Sequence, residues 1–535
     1  MRGPETKGRT VLPHSSRPRL RLMPIATTLA LTLAAPSAWA QASAPATSPA
    51  VAEPAPEAAL TAPPEADATA ELRNKLAEVD QTARIAVRKV ELLEEQLANK
   101  AKEAKENPTA SVSADERGFG LKSGDGAWSL KLHGHLQVDT RWFLNDGTLS
   151  DKADTFLIRR FRPVIDGTLF GAVDFKFVPD FAGGTAVIFD GYLDAHPFSW
   201  LRLRAGKFKA PLGLERLQSD ADLVFMERAL PQYLTPVRDI GASLWGEIAG
   251  GVVHYNLGLY NGAVDAVNPD LDTSHAKDFA GRLLIQPFKL DGLAELGSLG
   301  LHFGFSTGNR GPGTPTAAAA TANPLLPSYR SGGLNTFFTY LSSTTDPAGT
   351  VFAHLRQTRI NPGLFYYYGP LGLLGEYVHS SQEVQKGNVT ATLKHQAAHA
   401  TVSFVVGGKN SYEGATPDNR FDLSKGTLGA LEIGFRYNYL KLDDATFGNA
   451  ADPSVPSFAD LKKSSSKAQG WAVALTLVPS RTVRFAVNFE QTKFTGGSSV
   501  STSVTDPDTM KTTTTVTVAD RNTENALFGR AQVNF

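Results

Sequence analysis

The chain has 535 residues, with 53 basic and 53 acidic side chains, 48 glycines and no cysteine. Balanced charge removes the basic footprint of a nucleic-acid-binding domain, and the missing thiols exclude disulfides, thiolate nucleophiles and Cys-based metal sites. After residue 40 no apolar run is long enough for a transmembrane helix, so any crossing of a bilayer must be made by strands.

Residues 1–40 read as a signal peptide. Arg2, Lys7, Arg9, Arg17, Arg19 and Arg21 precede an apolar segment from Leu22 to Ala35, and Ala38-Trp39-Ala40 gives the small-x-small pattern that signal peptidase cuts. Cleavage there starts the mature chain at Gln41, and the long basic portion points to a start nearer Met23. Pro24 and the short apolar segment weigh against a retained anchor. Residues 41–70 are rich in Ala, Pro, Ser and Thr and are expected to be a linker, because they cannot bury enough surface to offset chain entropy.

Residues 71–105 carry Leu72, Leu76, Val79, Ala83, Ala86, Val90, Leu93 and Leu97 at alternating spacings of four and three. That heptad seam predicts a coiled-coil helix, weakened at its centre by Ala83 and Ala86, and hence self-association. The competing reading is a lone amphipathic helix lying on a partner. Asn107-Pro108 stops the helix, and residues 106–126 are expected to form a second linker.

From residue 127 to 535 the period changes to two. Leu130, Leu132, Leu136 and Val138 alternate with Lys131, His133, His135, Gln137 and Asp139, and the same form recurs at 431–439 and 483–490. Breaks are either tight, as at Gly369-Pro370, or long, as at 308–333, 443–469 and 496–522. The expected fold is all-β: a sixteen-stranded antiparallel transmembrane β-barrel carrying an N-terminal α-helical coiled-coil extension, at roughly 25 residues per strand and connection. Trp142, Phe143, Trp200, Tyr366, Tyr367, Tyr368 and Trp471 are expected in the interface girdles. At the chain end, Leu527, Gly529, Ala531, Val533 and Phe535 alternate with mostly polar residues. This resembles the terminal strand, with its final aromatic residue, that outer-membrane assembly machinery reads.

Strand parity places Arg160, Arg162, Asp166 and Thr168 on the face opposite Phe161, Ile165 and Leu169, and places Arg202 and Arg204 opposite Leu201, Leu203 and Ala205. With Lys207 and Lys209, these side chains outline an anion path, since guanidinium groups hold fixed charge at any pH and pair anions through a planar fork. The bland alternative is that they balance Asp166, Asp190 and Asp194.

The stretch from Lys131 to Gly241, about a quarter of the mature chain, is similar to the phosphate-selective porin family of Gram-negative outer-membrane channels. The resemblance rests on Leu132-His-Gly-His-Leu-Gln137, Arg159-Arg160, Ile188-Phe-Asp190-Gly-Tyr-Leu-Asp194, Leu203-Arg-Ala-Gly-Lys-Phe208, Pro211-Leu-Gly-Leu-Glu-Arg216-Leu-Gln-Ser219 and Phe225-Met-Glu-Arg228-Ala-Leu. It implies a homotrimer in outer-membrane lipid, without cofactor, passing small anions, phosphate being the candidate. It also implies a constriction where Arg159, Arg160 and Asp190 meet Arg216 and Ser219 of an inward-folded loop. Two departures matter. Adjacent Arg159 and Arg160 should face opposite ways unless a bulge intervenes, and Arg162-Pro163 stands where phosphate-specific members have a tyrosine, which puts phosphate preference in doubt.

A general non-specific porin is the first alternative. A trimeric adhesin also joins a coiled coil to a barrel, but there the strands fill only a short C-terminal segment. No catalytic set is expected, because none of His133, His135, His254, His379, His395 and His399 sits in a spacing tied to a nucleophile. His395 and His399 lack a third metal ligand in sequence, so no metal is expected.

Overall fold

A computed structural model describes residues 65–106, 109–116, 118–144, 153–270, 275–290, 293, 295–310, 325–449 and 454–535. The expected signal peptide and most of the first linker lie outside these residues. Helix α1 spans Glu65–Glu106, so it begins six residues before the heptad seam led us to expect. Glu and Ala are strong helix formers and extend it. Its seam residues Leu72, Leu76, Val79, Val90, Leu93 and Leu97 are all more than half exposed in the single chain.

Sixteen antiparallel strands form the barrel. They are β1 Ser129–Phe143, β2 Thr155–Leu169, β3 Val173–Asp180, β4 Val187–Phe198, β5 Leu201–Phe208, β6 Asp239–Ile248, β7 Val253–Tyr260 and β8 Asp278–Ile285. After them come β9 Gly300–Arg310, β10 Val351–Tyr368, β11 Leu371–Lys386, β12 Val389–Val406, β13 Ala430–Lys441, β14 Ser465–Val478, β15 Val483–Thr505 and β16 Glu524–Asn534. Each pairs with the next, and β16 returns to β1 from Ala526↔Phe143 to Asn534↔His135. Closure leaves no edge, which lets strands cross lipid with every backbone group paired. Phe535 lies at the seam, exchanging backbone hydrogen bonds of 2.8 and 3.0 Å with Gly134.

The period-two pattern has a direct outcome. Val138, Phe161, Leu203 and Phe485 are exposed to the lipid side, while Gln137, Asp139, Arg160, Arg162 and Arg484 are buried inside. Connections after odd strands include the long ones at 209–238, 311–350 and 442–464, and those after even strands include 170–172, 199–200 and 369–370. Long loops therefore share one rim, which in bacterial barrels faces outward. Two connections at the other rim depart from this rule, 286–299 and 407–429. The Tyr366–Tyr368 run also differs from the expected girdle, because alternation exposes Tyr368 and turns Tyr367 inward.

Part of the expected second linker is a hairpin, Ser111–Asp115 with Gly118–Lys122, that pairs with β1 through Phe119↔Leu132 and Lys122↔Ser129. Phe119 and Leu121 are exposed as Leu130 and Leu132 are, so the hairpin continues the apolar face at the short-turn rim. The packed core is inside the barrel. The loop after β5, residues 209–238, folds inward, and its Leu230, Tyr233 and Leu234 pack on Phe337, Phe338, Val378, Ala397 and Leu440.

Candidate anion pathway

Two β-bulges aim the functional side chains. In β1–β2, Gln137 pairs with Arg160 and Val138 with Ile158, leaving Arg159 as the extra residue. The bulge resolves the parity conflict, because it turns both Arg159 and Arg160 inward. In β3–β4, Val178 pairs with Asp190 and Pro179 with Ile188, so Phe189 is the extra residue and points inside beside Asp190.

The arginine pair meets a carboxylate that the protein itself supplies. Glu227 of the inner loop accepts from Arg159 Nε at 2.6 Å and Nη2 at 3.0 Å, and from Arg141 Nη2 at 2.7 Å, with Arg160 Nη2 3.8 Å away. Arg160 also donates to Gln137 at 2.7 Å. Asp220 of the same loop holds Arg162 and Arg228 by close ion pairs, with Arg160 Nε at 3.7 Å. Burial works against ionising these two carboxyls, but the surrounding arginines outweigh it and hold both well below the usual carboxylate range. Together the pairs dock the inner loop against β1 and β2.

Asp190 and the arginine pair are not partners. Arg238, at the end of the inner loop, takes Asp190 with a two-pronged contact of 2.6 and 3.1 Å. Phe189 carries Arg162 at 3.4 Å and Arg238 at 4.0 Å from its ring centre. Arg216, in a short helix at Leu214–Leu217, is buried and donates to the Gln232 carbonyl at 2.7 Å, whereas Ser219 is exposed and accepts from the Ala221 amide at 3.2 Å. Neither contacts Arg159 or Arg160 among the described hydrogen bonds and ion pairs. On β5, Arg202 binds Asp174 and Asp194, Arg204 binds Asp194, and Lys207 binds Asp270. Lys209 alone of the expected path has no carboxylate within 4 Å among the described residues; its ammonium donates to the Leu217 and Gln218 carbonyls at 3.0 and 2.6 Å.

The far side of the inner loop is also fastened. Glu376 on β11 accepts from the amides of Leu214 at 2.6 Å and Glu215 at 3.2 Å and from Asn361 at 3.0 Å, with His399 Nε2 at 3.3 Å. Ligand atoms of Glu215, Glu376 and His399 lie within 4.8 Å of one another. The amide donors already claim Glu376, so the trio acts as a loop anchor. From the short-turn rim, the 407–429 connection braces the same loop. Tyr412 donates to the Leu214 carbonyl at 2.6 Å and stacks 4.8 Å from Phe365, while Gln218 donates to the Tyr412 carbonyl at 2.7 Å. Gly414, with φ of +100°, abuts Asp222 where a Cβ would come within 2.9 Å.

Below the loop lies a chamber of about 710 Å³. Eight basic side chains line it against four acidic ones. Every one of those acids faces a cation: Glu116 with Arg420, Asp190 with Arg238, Asp220 with Arg162 and Arg228, and Asp222 with Arg484 at 3.9 Å. Lys131, Lys176, Lys209, Arg282 and Arg481 line it with no carboxylate within 4 Å among the described residues. Sequence reasoning missed Asp220, Glu227, Arg238, Arg282 and Tyr412. Asp220 adjoins the quoted block that ends at Ser219 and Glu227 lies inside the quoted Phe225–Arg228 block without a role assigned to it, but no pattern in sequence pairs Asp220 with an arginine 58 positions away.

None of the curated proteins matches the sequence. Among solved structures, the barrel is similar to the anion-selective porin from Comamonas acidovorans, at 12% identity over 76% of this chain and 100% of that one, with a TM-score of 0.46. It is also similar to the outer membrane channel DcaP of Acinetobacter baumannii, at 10% identity over 78% of this chain and 99% of that one, with a TM-score of 0.45. The family model described as phosphate-selective porin O and P matches residues 130–518, most of the chain and nearly all of the barrel. The chain therefore belongs to the phosphate-selective porin O and P family and is an outer-membrane porin of the Gram-negative type.

Proposed function

We propose that this porin passes small anions in preference to cations, and that the selecting charge resides in the inner chamber. The observation that carries the reading is the asymmetry of pairing. All four chamber carboxylates lie within 4 Å of a cation, whereas Lys131, Lys176, Lys209, Arg282 and Arg481 have no carboxylate within 4 Å among the described residues; Asp166, opposite Lys131 and Lys176 in register, is taken by His133. Unmatched fixed charge in a narrow, low-dielectric passage concentrates counter-ions and repels like ions. Arg159 and Arg160 contribute by docking the inner loop through Glu227, which sets the width above the chamber; Arg162 joins them through Asp220, Arg202 and Arg204 are held separately by Asp194, and Arg216 is held by the Gln232 carbonyl. Phosphate preference is the narrower reading that the family description raises, and phosphate added to a chloride-conducting pore addresses it.

Three chains associate in this proposal, joined along the barrel walls and through the exposed seam of α1. The combined variant Lys131→Gln, Lys176→Gln, Lys209→Gln tests the function. Its chloride-to-potassium permeability ratio in planar bilayers should fall several-fold relative to the unaltered protein. An unchanged ratio would place the selecting charge elsewhere.

A further inference from the structure

Arg282, like Arg481, differs from most guanidinium groups of the chamber wall. Arg162, Arg204 and Arg238 each hold an aspartate, but Arg282 holds none among the described residues, and its Nε is shut off from solvent without a hydrogen-bond acceptor. A half-buried guanidinium with no carboxylate and one unmatched donor favours a partner from solution on the side that lines the chamber.

Strand register fixes what surrounds it. Trp245 on β6 pairs with Asn256 on β7, Asn256 with Arg282 on β8, Arg282 with Gly304 on β9, and Gly304 with Asn361 on β10. From Trp245 to Asn361 the row carries one cation, two amides and an indole; beyond Trp245 it continues to Arg202 on β5, which with Arg204 stacks on the indole at 4.5 and 4.8 Å while Asp194 holds both guanidinium groups. Strands about 4.8 Å apart put Trp245 roughly 10 Å from Arg282, with Asn256 between them. Gly304 contributes no side chain, and the backbone of Pro211 in the inner loop closes that side, 3.1 Å from where a Cβ would stand. Trp245, Asn256, Arg282, Pro211, Leu217 and Tyr412 all line the chamber.

We propose that Arg282 is a binding station for small monocarboxylates bearing a short apolar tail. The guanidinium fork matches a carboxylate in plane and charge, the Asn256 amide adds a donor beside it, and Leu217 and Pro211 offer apolar surface to the tail. A dianion is served less well, because the neighbouring Arg202 and Arg204 are already held by Asp194 and Arg282 is the one cation of the row without a carboxylate within 4 Å among the described residues. The proposal rests on the chamber lying on the conducting path.

The test uses the full-length protein in planar bilayers carrying chloride, with butyrate or phosphate added. Butyrate should reduce the chloride current at lower concentration than phosphate does. Arg282→Gln should raise the butyrate concentration for half-block by about tenfold or more, as expected for a lost charge-assisted pair. Arg282→Lys, which keeps charge but not the fork, should recover only part of the block. The proposal is overturned if butyrate fails to reduce current in the unaltered protein, if phosphate blocks at lower concentration, or if Arg282→Gln leaves butyrate block intact. A pore that shows no preference for chloride over potassium would instead overturn the anion-channel reading, so the two failures are separable.

Discussion

Glu227 is the residue on which the docking of the inner loop turns. One buried carboxylate serves Arg159 and Arg141 directly and Arg160 at longer range, so removing its charge leaves Arg159 with no carboxylate within 4 Å among the described residues, while Arg141 keeps Asp139 at 3.5 Å and Arg160 keeps Asp220 at 3.7 Å. Breaking a buried pair on one side costs on the order of 3–5 kcal/mol. Glu227→Gln is expected to lower the thermal resistance of the folded barrel and to raise open-channel current noise as the inner loop comes free, measured by gel mobility after heating and by single-channel recording. Asp190→Asn is a contrasting case. It releases Arg238 at the chamber wall, so anion block should tighten, and a weaker block would argue against a chamber that holds anions.

The acid dependence follows from the same carboxylates. Asp220 and Glu227 have depressed folded-state values, so their stabilisation is fully present above the unfolded-state carboxylate range and is lost only as pH falls through the lower folded values. Conductance and noise should hold steady from neutral pH down to about 4, the ordinary carboxylate value, and change only below it. A transition near pH 6 would mean that a different group holds the loop.

Among the elements, α1 and the 407–429 connection separate assembly from pore geometry. The seam of α1 is exposed over Leu72, Leu76, Val79, Val90, Leu93 and Leu97, and we propose that it associates with further copies of the chain. Deleting residues 71–105 should weaken oligomers in chemical crosslinking while leaving a folded, conducting barrel; loss of barrel folding would contradict a separate role for the helix. Much of this organisation was legible in the chain. Period-two runs carried the strands, and the heptad spacing carried the helix. The clash between the adjacent arginines and strand parity pointed to the bulge at Arg159. What escaped the sequence was contact between remote segments: Tyr412 on Leu214, Asp220 on Arg162, Arg238 on Asp190. The hairpin at 111–122 was missed because two five-residue strands leave too short a pattern to distinguish from a linker.

For the molecule as a whole, zero net charge hides a strong internal division. The lipid face is apolar, most lumen arginines are tied to carboxylates that shape the loop, and the excess cations gather in the chamber below it. In the proposed reading, selectivity is a property of what remains unpaired, not of how many arginines face inward. The most direct measurement is the reversal potential of the unaltered protein in a planar bilayer with potassium chloride at unequal concentrations on the two sides. The account predicts a potential of the sign set by chloride, diminishing as salt screens the chamber. A potential near zero, or one of the sign set by potassium, would contradict it.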